Sequence, residues 1–282
     1  MKLKLIVLCL FLGLSILFNV GCDTDAGSTG TEDNDSEESK LDNVNETNVE
    51  EIDNNYDQQD LDELIDDGAL IFTFDDGFGT DYEVVYPILE EEGLQAVTYI
   101  TPIFIEDVEG YMDWEQVKSL DKAGWDVECH SYTHANLKEL TEVEIHEEMQ
   151  KVDEAFKKQG LYKPEHHAFP HGGYDEDSKE VVFSYRTTAR TVNNNLNELP
   201  IDQDDILLDA VDMGIHSIEV LKDLIDEAVE NDKLIILFTH DVREKPYDYG
   251  IETDKFKSVL DHALKQEIEI ITLSELMGEN RN

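Results

Sequence analysis

The chain reads as an α/β protein built on a parallel sheet, either open or closed into a barrel. Three observations predict this. From Gly68 onward, short apolar runs alternate with amphipathic stretches, the pattern of repeated strand–helix units. No second composition break divides these roughly 210 residues, so one domain with a sizeable core is expected. Finally, residues with chemical character collect where strand-like runs end, which is where chemistry collects in sheets of this class.

The elements follow in order. Ile71-Phe72-Thr73-Phe74 is an apolar strand that delivers Asp75-Asp76-Gly77 to its carboxyl end. Glu83-Val84-Val85 with Ile88-Leu89 has helical spacing, and Gly93 stops it. Ala96 to Ile105 is rich in β-formers and predicts a strand. Asp113-Trp114-Glu115-Gln116 resembles a capping box and Gly124 ends the helix it opens. Trp125 to Cys129 is the next strand, followed at once by His130-Ser131-Tyr132-Thr133-His134. Thr141-Glu142-Val143-Glu144 is a second capping box, opening an amphipathic helix to about Gln159. His166 to Phe169 is a short strand leading into the turn Pro170-His171-Gly172, and Ile206 to Met213 is another strand. Ile218, Leu221, Ile225 and Val229 fall on one helix face. Leu234 to Phe238 is a fully apolar strand ending in Thr239-His240-Asp241. Phe256, Val259, Leu260, Ala263 and Leu264 line the last long helix, and Ile268 to Thr272 form the last strand.

Ahead of the domain lie two segments of other composition. Residues 1–22 open with Lys2 and Lys4 and continue through the apolar run Leu5 to Phe18, which reads as a secretory signal too short for a comfortable membrane span. Val20-Gly21-Cys22 resembles a lipoprotein signal in which Cys22 becomes the lipidated N-terminus; plain secretion is the other reading. Residues 23–67 hold 18 acids against the single Lys40, the composition of an extended, self-repelling spacer. The whole chain carries a formal net charge of −46, and about −30 remains on the domain itself. Such a charge excludes nucleic acid as a partner, since binding it requires Lys and Arg to neutralise phosphates. It also motivates the hypothesis of a high-salt habitat, where screening eases self-repulsion. Of three cysteines, Cys9 and Cys22 belong to the leader. Cys129 is left without a disulfide partner and reads as a small buried hydrophobe rather than a ligand.

Two adjacent carboxylates at a strand end point in different directions, so one can bind a metal while the other faces a substrate. His130 and His134, four apart in a helical or turn-like segment, fall on one side as metal ligation requires. One carboxylate with two imidazoles suits zinc, and also ferrous iron or cobalt. With these residues in this order the chain resembles the polysaccharide deacetylases of the NodB-homology type, carbohydrate esterase family four. Thr73-Phe74-Asp75-Asp76-Gly77 is similar to the family's first motif and His130-Ser131-Tyr132-Thr133-His134 to its second. Phe169-Pro170-His171-Gly172 resembles a variant third motif, and Phe238-Thr239-His240 stands where the family has its last.

The resemblance implies a single distorted (β/α) barrel of about seven parallel strands over residues 68–278. It implies Asp75 as catalytic base and His240 as general acid. Asp76, His130 and His134 would be the ligands of one divalent metal, zinc preferred. Pro170 and His171 would form the oxyanion and substrate turn, the backbone N–H of His171 being the donor. The substrate would be an N-acetylated glycan, met outside the cell by a protein anchored through Cys22.

The chain departs from the family pattern at several places. Ala168 stands where many relatives carry Arg, and His171 replaces the usual Tyr. Asp209 or Asp212 falls in the region of the fourth motif without an assignable role. Arg190 is open between a partner for the base and a surface arginine. These departures keep two other readings in view: a glycan-binding module with little activity, and a hydrolase of another amide or an O-acetyl ester. Tyr111, Trp114, Tyr132, Tyr174 and Tyr247 are candidates for stacking on sugar rings, and Trp125 reads as core. His146, His166, His167, His216 and His262 read as structural or surface residues.

Overall fold

The structure, a computed structural model, describes residues 68–105, 108–201 and 206–279. The signal, lipidation and spacer readings for residues 1–67 lie outside the described residues. Ten strands are present among those described: β1 (Ala69–Asp76), β2 (Val97–Ile100), β3 (Asp126–Cys129), β4 (His166–Ala168), β5 (Thr188–Arg190), β6 (Asn197–Glu198), β7 (Ile206–Leu208), β8 (Val211–Asp212), β9 (Lys233–Thr239) and β10 (Glu269–Ile270). Seven α-helices accompany them: α1 (Tyr86–Glu91), α2 (Trp114–Lys122), α3 (Glu142–Gln159), α4 (Glu176–Phe183), α5 (Ile218–Glu230), α6 (Thr253–Gln266) and α7 (Leu273–Leu276).

The sheet order runs β9-β1-β2-β3-β4-β5-β7, all neighbours parallel. Closure comes from one segment. Residues 206–208 pair with β5, and three residues later Val211 and Asp212 pair with Leu237 and Phe238 of β9. The stretch predicted as a single strand, Ile206 to Met213, therefore bends at Asp209-Ala210 and joins the first and last strands of the row. Counting that stretch once gives the expected seven-stranded barrel. The two-residue β6 runs antiparallel to β9, and β10 adds to the start of β1.

Strand periodicity separates two cores. Along β1, Leu70, Phe72 and Phe74 face the helices, while Ala69 and Ile71 belong to a second cluster with Val97, Tyr99, Ile236 and Phe238 inside the barrel. Because side chains alternate, Thr73 and Asp75 continue the inward face of β1, and Arg190 continues the inward face of β5 opposite Ala189. The helices start where capping chemistry places them. Asp113/Gln116 and Thr141/Glu144 form the capping boxes read from sequence, and Asp175/Ser178 forms a third at α4.

Some elements differ from expectation. The β-rich run Ala96 to Ile105 is a strand only over Val97–Ile100, because Pro102 begins a turn that leads away from the sheet. Ile268 to Thr272 contributes only the two-residue β10 before Thr272 caps α7. Helix α4 and strand β5 were not foreseen.

Candidate active site

Four strands end at one rim of the barrel and each delivers part of the site. β1 brings Asp75 and Asp76, β3 brings His130, β5 brings Arg190 and β9 brings His240. The turn after β4 adds His171. All of these but Arg190, which lies behind Asp75, line a cavity of ≈ 590 Å³, within the size range of small-molecule sites. Asp76, Ser131, His134 and His171 all adopt left-handed backbone, with φ of 74°, 60°, 60° and 59°. Non-glycine residues in this region each cost of order 1 kcal/mol or more, and such strain gathers at functional sites.

Asp76, His130 and His134 form a three-ligand cluster whose donor atoms all lie within 4.8 Å of one another. Asp76 Oδ1 is 3.6 Å from His130 Nε2 and 3.2 Å from His134 Nε2. His130 Nδ1 is 2.8 Å from the Ala168 carbonyl, which can only accept, so the ring donates there and turns the lone pair of Nε2 toward Asp76. Burial lowers His130 to about 3 and His134 to about 4. Burial raises Asp76 to about 6, with the Asp75 charge adding to the rise. Near neutral pH the cluster is thus one carboxylate and two neutral imidazoles, three groups that can each turn a lone pair toward one point. Asp76 Oδ1 is buried and has no hydrogen-bond partner. This donor set fits a divalent cation.

Beside the cluster, Asp75 Oδ2 accepts a 2.5 Å hydrogen bond from Arg190 Nη2. Burial alone would push Asp75 up. The Arg190 guanidinium, assisted by His130 and His240, offsets this and holds the carboxyl below its ordinary value. Its other oxygen, Oδ1, is buried and unpartnered. Arg190 is 2% exposed and lies between the rings of Phe238 and Tyr99, at 4.6 and 5.2 Å. Its position between a surface arginine and a partner for Asp75 is thereby resolved: it is buried and paired. Across the cavity, His240 Nδ1 is 3.3 Å from the Tyr249 carbonyl and so donates to it, which leaves Nε2 free.

The remaining expectations divide. His171 and Gly172 line the cavity, whereas Pro170, expected with them, is buried and does not. A Cβ on Gly172 would overlap Val192, and its φ is +65°, so this turn requires glycine. Asp212 lines the cavity. Asp209 is held elsewhere by Thr191, Asn193 and Asn195. Of the candidate stacking residues, Tyr111 lines the cavity and packs between Phe78 and Phe104, with centroids 4.6 and 4.8 Å away. Tyr247 approaches Phe78 at 6.3 Å. Trp114 and Tyr132 border a separate groove, and Tyr174 stacks on Phe169. Cys129 is buried, beside His167. Sequence reasoning missed Phe78, Phe104, Asp248 and Tyr249, all cavity-lining. The one available signal was position, since Phe78 follows the Asp pair after only Gly77, and Asp248 and Tyr249 follow His240 by a short loop.

A family model described as polysaccharide deacetylase matches residues 65–189, the stretch that contributes Asp75, Asp76, His130, His134 and His171. That match supports a polysaccharide deacetylase domain of the NodB-homology type over residues 65–189. The chain is 24% identical over 221 residues to a chitin deacetylase of Arthroderma benhamiae, covering 75% of this chain and 52% of that protein. It is 26% identical over 114 residues to the protein YxkH of Bacillus subtilis, covering 40% of each. The chain thus spans about half or less of the length of these curated relatives. Two solved structures share the barrel. One is a family 4 carbohydrate esterase from Streptomyces lividans in complex with acetate, at TM-score 0.53 and 18% identity over 75% of this chain and 95% of that one. The other is a CE4 family pseudoenzyme from Bacillus anthracis, at TM-score 0.54 and 16% identity over 74% and 65%. At such identities the likeness of the chain to these structures concerns its fold.

Proposed function

We propose that the domain hydrolyses N-acetyl groups of an extracellular or cell-surface glycan. The observation that carries this reading is the pairing of a three-donor metal cluster, Asp76, His130 and His134, with the unpartnered Oδ1 of Asp75 beside it. A divalent cation held by the three donors, zinc by preference, supplies Lewis acidity toward an acetyl carbonyl and acidifies a water. Asp75, kept ionised by Arg190, accepts the proton of the attacking water at Oδ1. His240 then offers a proton from Nε2 to the departing amine, with its ring oriented by the Tyr249 carbonyl. The His171 amide lies in a single 3₁₀ turn where intrahelical partners are lacking, and it serves as the oxyanion donor. Products are acetate and a free amino sugar. The aromatic rungs Phe78, Tyr111 and Phe104 give sugar rings apolar faces to pack against.

The test is acetate release from acetylated chito-oligosaccharides with added zinc. Asp75→Asn is expected to lower turnover by about 10²- to 10⁴-fold while zinc stays bound, and His130→Ala to lose the metal. Turnover retained in Asp75→Asn would remove that residue as base. A second reading, a glycan-binding module on the same fold, is motivated by Ala168 and His171 in the third motif; acetate release by the wild-type chain excludes it. Faster release from O-acetyl than from N-acetyl substrates would instead favour the esterase alternative. We further propose that the protein works outside the cell, anchored through Cys22. Fatty-acid labelling that persists in Cys22→Ser would overturn the anchor.

A further inference from the structure

The segment that carries His134 is fastened by one carboxylate from outside the cavity. Glu148 sits within α3 and is 6% exposed. Its Oε2 accepts from the N–H of Tyr132 at 2.9 Å and of Thr133 at 2.8 Å, and its Oε1 accepts from the Thr133 hydroxyl at 3.0 Å. All three bonds fall between the two histidines. The position is unusual for an acid. Ile145, Met149 and Val152 are the buried stripe of α3, and Glu148 lies on it, three residues after Ile145 and four before Val152. Helical patterning asks for an apolar residue there, because a buried carboxylate is costly unless hydrogen-bonded. The bonds to residues 132–133 are what satisfy it.

Those residues need holding. Ser131 and His134 flank them with φ of 60° each, and a pair of left-handed non-glycine residues persists only where the surroundings enforce it. We propose that Glu148 is the positioning residue that preorganises the metal triad. By gathering two successive backbone N–H groups and one hydroxyl, it fixes residues 131–134 in the conformation that sets His134 Nε2 beside Asp76 Oδ1. The inference rests on the reading of Asp76, His130 and His134 as a metal site, and extends it to a residue that touches none of the ligands.

The test uses the full chain, zinc competition against a chromophoric chelator, and the visible spectrum of the cobalt(II) form. Glu148→Leu keeps the stripe apolar but leaves both N–H groups without their acceptor. Zinc affinity is expected to fall about 10- to 100-fold, the usual size for losing an outer support of a ligand, with a changed cobalt spectrum. Glu148→Gln keeps one oxygen for both N–H groups and turns its amide toward the Thr133 hydroxyl, so it should restore affinity to within about threefold. Thr133→Val removes one of the three bonds and should weaken zinc a few-fold. That variant decides the matter if Glu148→Leu does not fold. Asp76→Asn controls for the site itself. Tight zinc binding by wild type, loss in Asp76→Asn and wild-type affinity and spectrum in Glu148→Leu would overturn the role of Glu148 alone. No zinc binding by wild type would overturn the metal-site reading and this inference together.

Discussion

Asp75 carries a charge in a place where burial opposes it, and Arg190 is the reason it can. The guanidinium is itself enclosed by Phe238 and Tyr99, so neither ion has water to fall back on. Removing one partner of a buried pair is costlier than the pair is worth, about 3–5 kcal/mol. Arg190→Met is therefore expected to destabilise the fold by an amount near the lower end, since Asp75 can take up a proton instead. The sign follows from linkage. A carboxyl whose folded pKa is lowered stabilises the protein above its unfolded pKa, and that stability is lost as pH falls through the folded value. With Arg190 gone, burial dominates, Asp75 moves up, and the acid limb of the pH–rate profile moves to higher pH. A profile unchanged in Arg190→Met would dissociate Arg190 from the base. The metal ligands give a second prediction. In the metal-free chain Asp76 titrates at about 6, whereas His130 and His134 are lowered to about 3 and 4. Because Asp76 is raised, its neutral form stabilises the metal-free fold at low pH, and that stability is lost as pH rises through about 6. Zinc must displace this one proton below about 6 and none above. Affinity should be flat from pH 7 to 8 and fall about tenfold per unit below 6. Calorimetric titrations across that range that show a hundredfold loss per unit would mean that histidine protons, not Asp76, control the site.

The loop after β9 shows how an element sets a side chain's aim. Asp241 is fully buried at its start. Its carboxylate accepts from Thr80 Oγ1 at 3.1 Å, Arg243 Nε at 2.6 Å and Tyr247 N at 2.9 Å, while its carbonyl accepts from Ile251 N. This pins residues 242–251, including Tyr249, whose carbonyl orients His240. Asp241→Asn turns an N–H toward one of those donors and should cost about 2 kcal/mol, or about 4–8 °C in Tm for a domain this size. Acetate release should fall as well; a lowered Tm with unchanged kcat would mean that the loop does not orient His240. Legibility in the sequence follows the same physics. β1 and β9 were readable because both faces are buried and their runs are almost wholly apolar. Asp75-Asp76 and His240 were readable because polar residues abruptly close such runs, and His130 because a second histidine follows it four residues on. β5 was not, since Thr188-Ala189-Arg190 is three residues long and two of them are polar, and an inward-facing arginine looks like a surface one until its carboxylate is located. Glu148 was hidden for the related reason that an acid on an apolar helix stripe reads as noise without the loop it serves. The bend at Asp209-Ala210 left no mark because Ile206 to Met213 keeps a strand-like composition through it.

At the scale of the molecule, the charge is distributed in a way that leaves the surface unbalanced. All three arginines among the described residues are paired with acids: Arg186 with Asp153, Arg190 with Asp75 and Arg243 with Asp241. Several lysines pair within their own helix, as Lys118 does with Glu115 and Lys179 with Glu176. Such exposed i,i+3 pairs add only tenths of a kcal/mol. The charge of about −30 on the domain is therefore met by little internal compensation, and such a charge repels itself. Dissolved ions would screen that repulsion. The Debye length shrinks from ~10 Å at 0.1 M salt to ~3 Å at 1 M, shorter than most separations between surface carboxylates. Raising sodium chloride from 0.05 to 1 M should lift stability by about 2 kcal/mol or more, a Tm rise of about 4–8 °C. The shape of the curve identifies the cause. Screening acts steeply at low salt and saturates near 1 M, whereas an excluded solute such as sucrose stabilises in proportion to its concentration without saturating. A Tm that is flat from low to molar salt would remove the high-salt reading and require that the carboxylates be spaced or protonated well enough to need no counterions.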